Sequence, residues 1–325
     1  MSARRTIGVD LGGTKLLAGA VDARLGVHHR VHRAVAGLSQ RALLDLAVEA
    51  VTEARESAGA DVAAVGFGIP GLIDRTTGKV AAGVHTPLAD IAFADVMAER
   101  LGVPVFVDND GNASALAEHR AGAARDVDHA LVLTLGTGIG GGLILGGRLY
   151  RGARGGAAEL GHMEIDFDGP RCTDNCPGRG CAELFVSGTA LVREAHRLAH
   201  ERPDSGLGLA LREGRPLVGP LVTELAHDGD LAALEVVELL GERLGVVITS
   251  LVNIFNPQMV VVGGGVIAAG ELLLAPARAI VAERTLPYFS QNLQIVAARF
   301  GVEAGMVGAA ALAYEGLAQM EEMVG

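Results

Sequence analysis

The chain has 325 residues, of which 50% are hydrophobic, and carries a formal net charge of −11. At about 150 residues per domain this length predicts two lobes, and the hydrophobic content excludes a disordered chain. The acidic balance, without clusters of Lys and Arg, argues against a nucleic-acid groove, where basic side chains must neutralise phosphates. The 46 glycines are about twice the usual share and indicate many tight turns.

No apolar signal sequence precedes the first predicted strand. Residues 244–270 carry no charge and are long enough on paper to span a membrane. Polar residues, proline and glycines interrupt that stretch: Asn253, Asn256, Pro257, Gln258 and glycines 263–265. We therefore expect a buried helix end, a strand and a loop there, in a cytoplasmic protein without membrane contact.

The first lobe is predicted to open with a hairpin. Apolar strands at Thr6–Asp10 and Leu16–Val21 flank a glycine turn, and Ser39 is the predicted N-cap of the helical pattern that follows it. Further strands are predicted at 30–35, 63–68 and 103–107, with helices near 92–101 and 112–121.

Residues 130–145 repeat the opening pattern of strand, glycine turn and apolar run, which suggests two similar lobes. Residues 203–220, rich in Gly and Pro, resemble a surface excursion. The remaining elements are a helix at 233–255, a strand at 259–262, the glycine loop 263–265 with a further helix, a strand at 293–298 and a closing helix from 303. The alternation predicts an α/β protein. We expect an N-terminal lobe, 1–122, completed by helix 303–325, and a larger lobe, 123–302.

The turns around Thr14 and Thr137 are candidate phosphate loops. The segment Gly136–Gly141 fits G-x-G-x-x-G, but a strand follows instead of the helix that a dinucleotide site requires, and the chain has no Walker motif. Glycine lets backbone N–H groups approach an oxyanion, and a Thr hydroxyl adds a donor. The predicted contacts to a polyphosphate are Gly12, Gly13, Thr14, Lys15, Gly136, Thr137 and Gly138. Lys15 is either a phosphate contact or a solvated turn lysine, and Asp10 is placed to hold Mg²⁺.

Asp108-Asn109-Asp110 ends a buried strand, and alternation puts both aspartates on one face. Paired carboxylates can serve glycoside hydrolysis. With two phosphate loops, however, a transferase is the simpler hypothesis, since one carboxylate suffices to orient a hydroxyl for attack on a γ-phosphate. The alternative is a helix-capping aspartate.

His162, Cys172, Cys176 and Cys181 match a closed tetrahedral zinc site of the structural kind. The alternative is a redox pair, but no two of the cysteines have the C-x-x-C spacing. A second histidine-rich stretch, 28–32, lacks Cys or acidic partners and is interpreted as an exposed strand edge.

These motifs together resemble the ROK sugar kinases and, within that family, the bacterial ATP-dependent glucokinases. The resemblance covers essentially the whole chain. It rests on Asp10-Leu-Gly-Gly-Thr-Lys15, Gly68-Ile-Pro-Gly71, Asp108-Asn-Asp110, Leu135-Gly-Thr-Gly138, Glu159-Leu-Gly-His162, the cysteines with Glu183, Gly263-Gly-Gly265 and Ala304-Gly-Met-Val-Gly-Ala309.

The resemblance implies an actin-like, hexokinase-type (ribonuclease H-like) ATPase fold of two lobes, with the active site in the interlobe cleft. It implies a homodimer or homotetramer that phosphorylates a hexose at O6, with Asp110 as catalytic base. The implied sugar-binding residues are Asn109, Asp110, Glu159, His162, Glu183 and Gly71. Gly264 and Gly265 match the loop beneath adenosine.

The sequence departs from the family pattern in two places. Three residues, 173–175, separate Cys172 from Cys176, where the family usually has one, and we expect them to bulge outward. His85-Thr-Pro-Leu stands where glucokinases commonly carry an Asn followed by a Trp. The family's repressors carry a helix-turn-helix ahead of this core, for which the expected first strand at Thr6 leaves no room.

The expected activity is therefore ATP-dependent conversion of D-glucose to glucose 6-phosphate, with catalytic Mg²⁺ and structural Zn²⁺. The alternatives are a kinase for fructose, mannose or an N-acylhexosamine, and a sugar-sensing protein without turnover. Polyphosphate is the alternative donor.

Overall fold

The computed structural model describes residues 4–59, 61–74, 77–83, 86–172 and 176–324. The chain divides into two compact units. The first consists of Met1–Asp128, Gly142–Ala158 and Val302–Gly325, and the second of His129–Gly141 and Glu159–Gly301. The segment Gly142–Ala158 thus joins the first unit, whereas the sequence placed it in the second lobe.

The strands in chain order are β1 (Arg5–Leu11), β2 (Lys15–Val21), β3 (Val27–Ala34), β4 (Val62–Ile69), β5 (Gly71–Asp74), β6 (Lys79–Gly83), β7 (Ala89–Ile91), β8 (Val105–Asn109), β9 (Ala130–Leu135), β10 (Ile139–Leu145), β11 (Arg148–Tyr150), β12 (Met259–Gly263) and β13 (Gln294–Ala297). The helices are α1 (Gln40–Glu56), α2 (Phe93–Leu101), α3 (Asp110–Ala121), α4 (Glu183–Val186), α5 (Gly188–Glu201), α6 (Gly206–Arg212), α7 (Gly219–His227), α8 (Leu231–Phe255), α9 (Glu271–Arg284), α10 (Pro287–Ser290) and α11 (Ala304–Val324). Short 3₁₀ turns lie at Leu160–His162, Gly265–Ala269 and Gly301–Glu303.

Two sheets share one plan. One has the strand order β3-β2-β1-β4-β8, with β1 antiparallel to β2 and parallel to β4, which in turn is parallel to β8. The other has the order β11-β10-β9-β12-β13, with β12 parallel to both β9 and β13. A hairpin beside parallel strands therefore occurs twice, as the internal repeat predicted, and the α/β class is confirmed.

The alternation of β1 decides which face of the first sheet each helix covers. Ile7, Val9 and Leu11 point to the face that packs against α1, where the apolar side of that helix completes a buried core. Ser39 caps α1 as predicted, because its hydroxyl accepts the N–H of Ala42.

On the opposite face of β1, the backbone of the strand packs directly against the backbone of α11. A side chain on Gly8 would lie 1.9 Å from the carbonyl oxygen of Met306, and one on Gly66 would lie 1.8 Å from that of Ala309. Gly308 of α11 meets α3 in the same way, 1.6 Å from the carbonyl oxygen of Ala113. Only glycine fits at these positions, so α11 is seated tightly against β1, β4 and α3.

Residues 203–220 were predicted to form a surface excursion, and this prediction is wrong. They contain α6 and the start of α7. Ser205 caps α6 by accepting the N–H of Gly208, and Pro220 stands at the beginning of α7, where its missing N–H costs nothing. Gly and Pro act here as helix-start residues. The small antiparallel sheet β5-β6-β7 was not predicted.

Within the described ranges, no helix is both long and apolar enough to cross a membrane. The uncharged stretch 244–270 holds the end of α8, strand β12 and the 3₁₀ turn after it.

Candidate active site

Asp10 lies near the carboxyl end of β1, on the face that carries α11. A side chain on Gly305, in the first turn of α11, would lie 2.7 Å from the Asp10 carboxyl carbon, so this glycine leaves room for the carboxylate. Burial and, to a smaller extent, the negative charge of Asp110 raise the pKa of Asp10 to about 7, while Lys15 opposes both effects. Asp10, Asp110 and Lys15 thus belong to one electrostatic cluster in the first unit.

The turn between β1 and β2 is closed by its own backbone. Gly12 donates its N–H to the carbonyl oxygen of Lys15 at 2.9 Å, and Val35 donates to that of Thr14 at 3.0 Å. The side chains of Thr14 and Lys15 are exposed, and Gly12 and Gly13 are partly exposed. The predicted phosphate loop therefore presents donors to solvent.

Strand β8 passes directly into α3 at the Asp-Asn-Asp motif. Asn109 is the N-cap, since its Oδ1 accepts the N–H groups of Gly111 at 2.8 Å and Asn112 at 3.3 Å. Its Nδ2 donates to the carbonyl oxygen of Gly71 at 3.2 Å. The cap is therefore Asn109, and Asp110 is free of that task as the first residue of the helix.

Asp108 and Asp110 differ in their partners. Asp108 is buried and accepts hydrogen bonds from Arg151 Nε at 2.5 Å and from Asn112 Nδ2 at 2.8 Å. Asp110 accepts the N–H of Gly111 at 3.0 Å, and burial raises its pKa above the ordinary value. A carboxyl of raised pKa is a better proton acceptor near neutral pH. Asp108 is bound structurally, so the two do not form an equivalent acid-base pair.

Arg151 is a residue that sequence reasoning missed. A buried carboxylate at position 108 implies a cation nearby. Nothing in the sequence identified which of the chain's arginines supplies it.

In the second unit, the turn Gly136–Gly138 is held by the beginning of α5. Gly188 donates its N–H to the carbonyl oxygen of Gly136 at 2.7 Å, and the hydroxyl of Thr189 donates to that of Thr137 at 2.8 Å. With two carbonyl oxygens of the turn occupied on that side, its conformation is fixed before any ligand binds.

Glu183 contacts the same turn. Its Oε2 accepts the N–H of Ile139 at 2.8 Å, and a side chain on Gly138 would lie 1.9 Å from that oxygen. On the other side, a side chain on Gly161, from the Glu159–His162 motif, would lie 2.8 Å from the carbonyl oxygen of Ile139. Three motifs that are distant in sequence therefore meet at Ile139.

The glycine loop 263–265 also contacts the strand end directly before the turn Gly136–Gly138, through Gly264. This residue follows β12, which is paired in parallel with β9 so that Gly263 lies opposite Thr134. Gly264 has φ +82°, and a side chain there would lie 2.4 Å from the carbonyl oxygen of Leu135, so both conformation and space require glycine. A side chain on Gly265 would meet nothing within 4 Å, which leaves that position open to a ligand.

His162 and the three cysteines form one cluster, with potential ligand atoms within 4.8 Å of one another. Cys172 Sγ lies 3.7 Å from His162 Nδ1, and Cys176 Sγ lies 3.9 Å from Cys181 Sγ. A tetrahedral zinc with Zn–S bonds of about 2.3 Å places its sulfurs about 3.8 Å apart. Burial and the neighbouring sulfurs raise the pKa of the Cys181 thiol to about 12, so the close-packed thiols favour a cation that stabilises thiolates. The residues fit zinc.

The exposure and position of the remaining predicted residues are as follows. Glu159 is exposed and precedes the 3₁₀ turn that carries His162. Histidines 28 and 32 are exposed on β3, which is the edge strand of its sheet, as expected. The expectation that this stretch lacks acidic partners is wrong for His28, because its Nε2 lies 2.6 Å from Asp22 Oδ2. His85 and the insertion 173–175 lie outside the described residues.

Comparison with known proteins agrees with this geometry. The ROK family model matches residues 6–315. A glucokinase from Streptomyces coelicolor is 36% identical over 95% of this chain and 98% of its own length. The crystal structure of a ROK family glucokinase from Streptomyces griseus, in complex with glucose and AMPPNP, has a TM-score of 0.88 and 37% identity, and the match covers 96% of this chain and 99% of that one. A xylose repressor from Bacillus spizizenii is 28% identical over 95% of this chain and 77% of the repressor. The chain therefore belongs to the ROK family and has the actin-like, hexokinase-type fold of its sugar kinases.

Proposed function

We propose that this chain, a sugar kinase, transfers the γ-phosphoryl group of ATP to the O6 hydroxyl of a hexose, with D-glucose as the preferred acceptor. The products are glucose 6-phosphate and ADP. The similarity to glucokinases supports the choice of sugar and nucleotide.

The observation that carries the proposal is the position of Asp110. It is the first residue of α3, and its pKa is raised by burial. The carboxylate accepts the proton of O6 while O6 attacks the γ-phosphorus, and the bond from phosphorus to the bridging oxygen of ADP breaks. A loose transition state needs little covalent help, so positioning and charge neutralisation supply most of the rate.

We assign the donor to the glycine turns of both units. The triphosphate would contact Gly12, Gly13, Thr14, Lys15, Gly136, Thr137 and Gly138. The exposed Thr14 and Lys15 and the preformed turn at 136–138 support this assignment. Gly264 and Gly265 would lie beneath adenosine, where the open space at Gly265 supports contact with a flat group.

Asp10 would hold Mg²⁺, directly or through water, because Mg²⁺ takes one or two carboxylates together with phosphate oxygens. Such an ion neutralises charge on the phosphates. Zn²⁺ would be held by His162, Cys172, Cys176 and Cys181, whose donor spacing supports it, and would supply a fixed tetrahedral centre.

Asn109, Glu159, His162 and Glu183 would bind ring hydroxyls, with Gly71 forming part of the same sugar site. The Nδ1 of His162 faces Cys172, so Nε2 is the nitrogen left to reach a hydroxyl. The bond between Asn109 and the carbonyl of Gly71 supports a fixed orientation of that amide. Once a bound sugar covers them, such polar groups would reject sugars that lack a hydroxyl, since they would stay unpaired.

The test is a panel of glucose, fructose, mannose and N-acetylhexosamines with ATP and coupled detection of ADP. We expect the highest kcat/KM with glucose. A higher kcat/KM with another hexose would make that hexose the preferred acceptor. The absence of ADP formation with every sugar would refute the proposed kinase activity. The same assay with polyphosphate in place of ATP tests the donor.

The rival function is a sugar sensor without turnover, which the similarity to the xylose repressor favours. Calorimetric sugar binding without ADP formation would establish it. ATP consumption that requires hexose would eliminate it.

A further inference from the structure

We infer that Arg151 is a positioning residue for the phosphoryl transfer: by binding Asp108 it fixes the start of α3 and thereby the direction of the Asp110 carboxylate. The inference rests on the proposed role of Asp110 as base. Arg151 follows β11, about forty residues after the motif that it supports.

The contact is a buried ion pair. Arg151 Nε lies 2.5 Å from Asp108 Oδ2, and the two side chains are 10% and 6% exposed. The ion pair at the other end of α3, Arg120 with Glu315, is 52% and 24% exposed. A buried carboxylate without its cation is strongly destabilising, whereas loss of a surface pair costs little. Loss of the Arg151 charge would therefore leave the buried Asp108 carboxylate without its cation.

The second carboxylate oxygen of Asp108 passes this constraint to the helix. Oδ1 accepts the N–H of Asn109 at 2.8 Å and Nδ2 of Asn112 at 2.8 Å. Asn109 in turn caps α3 through Gly111. Arg151 thus orients a carboxylate that holds the residues before and after Asp110.

No bond to Asp110 itself is needed for this effect. The residue lies between two held neighbours, so a shift of Asp108 moves the backbone from which the Asp110 side chain projects. Displacement of a catalytic group by about 1 Å can cost about a hundredfold in rate. A uniform loosening of the unit would instead lower stability without a selective effect on kcat.

The experiment compares Arg151→Met, Arg151→Lys, Asp108→Asn and the double variant Arg151→Met/Asp108→Asn, with Arg120→Met as the control on the same helix. Initial rates are measured well below the unfolding temperature of each variant. We expect Arg151→Met to lower kcat by about 10- to 100-fold with the KM for ATP nearly unchanged. Arg120→Met should keep wild-type kcat.

The double variant should lose less activity than the product of the two single losses. The amide oxygen that Asp108→Asn introduces can still accept from Asn109 and Asn112, and no charge then remains to be balanced. Arg151→Lys keeps the charge and should fold and retain more activity than Arg151→Met. If Arg151→Met does not fold, a wild-type kcat in both Arg151→Lys and Asp108→Asn overturns the inference.

Wild-type kcat in Arg151→Met, or additive losses in the double variant, also overturns it. A wild-type protein that phosphorylates no hexose refutes the proposed function instead.

Discussion

Substitution of Gly138 tests whether the turn between β9 and β10 supports sugar binding through Glu183 as well as contacting the phosphates of ATP. The methyl group of Gly138→Ala would lie 1.9 Å from Glu183 Oε2 and 2.8 Å from the carboxyl carbon, whereas real contacts of this kind exceed 3.0 Å. The carboxylate must therefore retreat by about 1 Å or more, which stretches its 2.8 Å bond to the N–H of Ile139 beyond hydrogen-bonding distance.

The expected loss concerns the sugar hydroxyl that we propose Glu183 binds, because a displaced carboxylate loses its hydrogen bond to that hydroxyl. A hydrogen bond to a charged group contributes about 1.5–3 kcal/mol. Since each 1.4 kcal/mol is tenfold in affinity, the Kd for glucose should rise roughly 10- to 100-fold. The effect falls on the sugar although the substitution is in a predicted phosphate turn.

Gly136→Ala is the matched control, two residues away in the same turn. A methyl group there meets nothing within 4 Å in the protein. Calorimetry with glucose should give a wild-type Kd for Gly136→Ala, while its KM for ATP rises if phosphate approaches that backbone. A glucose Kd within twofold of wild type for a folded Gly138→Ala protein would refute the reasoning, because Glu183 would then not bind the sugar from this position.

Three further results are expected. Asp110→Asn should lower kcat by roughly 10²–10⁴-fold with sugar binding largely kept, as loss of a general base does; near-normal turnover would place the base elsewhere. Cys176→Ser should lower zinc content in metal analysis together with hexose affinity, and a fully active, zinc-free variant would contradict the role given to the cluster. Burial raises the pKa of Asp10 from 3.8 to about 7, so the folded protein keeps a proton there that the unfolded chain has lost. The free energy of unfolding in urea without Mg²⁺ should therefore fall as the pH rises from about 4 to about 7, and Asp10→Asn should flatten this slope. Parallel pH profiles for the wild-type protein and Asp10→Asn would contradict the raised pKa of Asp10.

Local signals made much of the fold predictable. The hairpin around Thr14 and its repeat around Thr137 are short apolar runs about a glycine turn, and Ser39 is a capping residue directly before a helical period. Each of these depends on residues adjacent in sequence. The Gly and Pro residues of 203–220 were misinterpreted because the same residue types both break and begin helices.

The contacts that organise the candidate site could not be predicted in the same way. Arg151 meets Asp108, and Thr189 meets Thr137, across more than forty intervening residues. No local pattern distinguishes these side chains from other arginines and threonines. Motifs predicted which residues are chemically competent, whereas the partners that hold them depend on tertiary packing.

The seating of α11 has a consequence for biosynthesis. Its glycine contacts with β1, β4 and α3 complete the first unit, yet α11 is translated after the whole of Glu159–Gly301. Domains usually mature in the order in which they emerge from the ribosome. Here the unit that begins the chain must wait for the segment that follows Gly301, so the second unit is the first to have all its residues available. Until then, the strand bearing Asp10 leaves uncovered the glycine-lined face on which α11 later packs, and a nascent chain arrested before residue 304 would expose that face to chaperones.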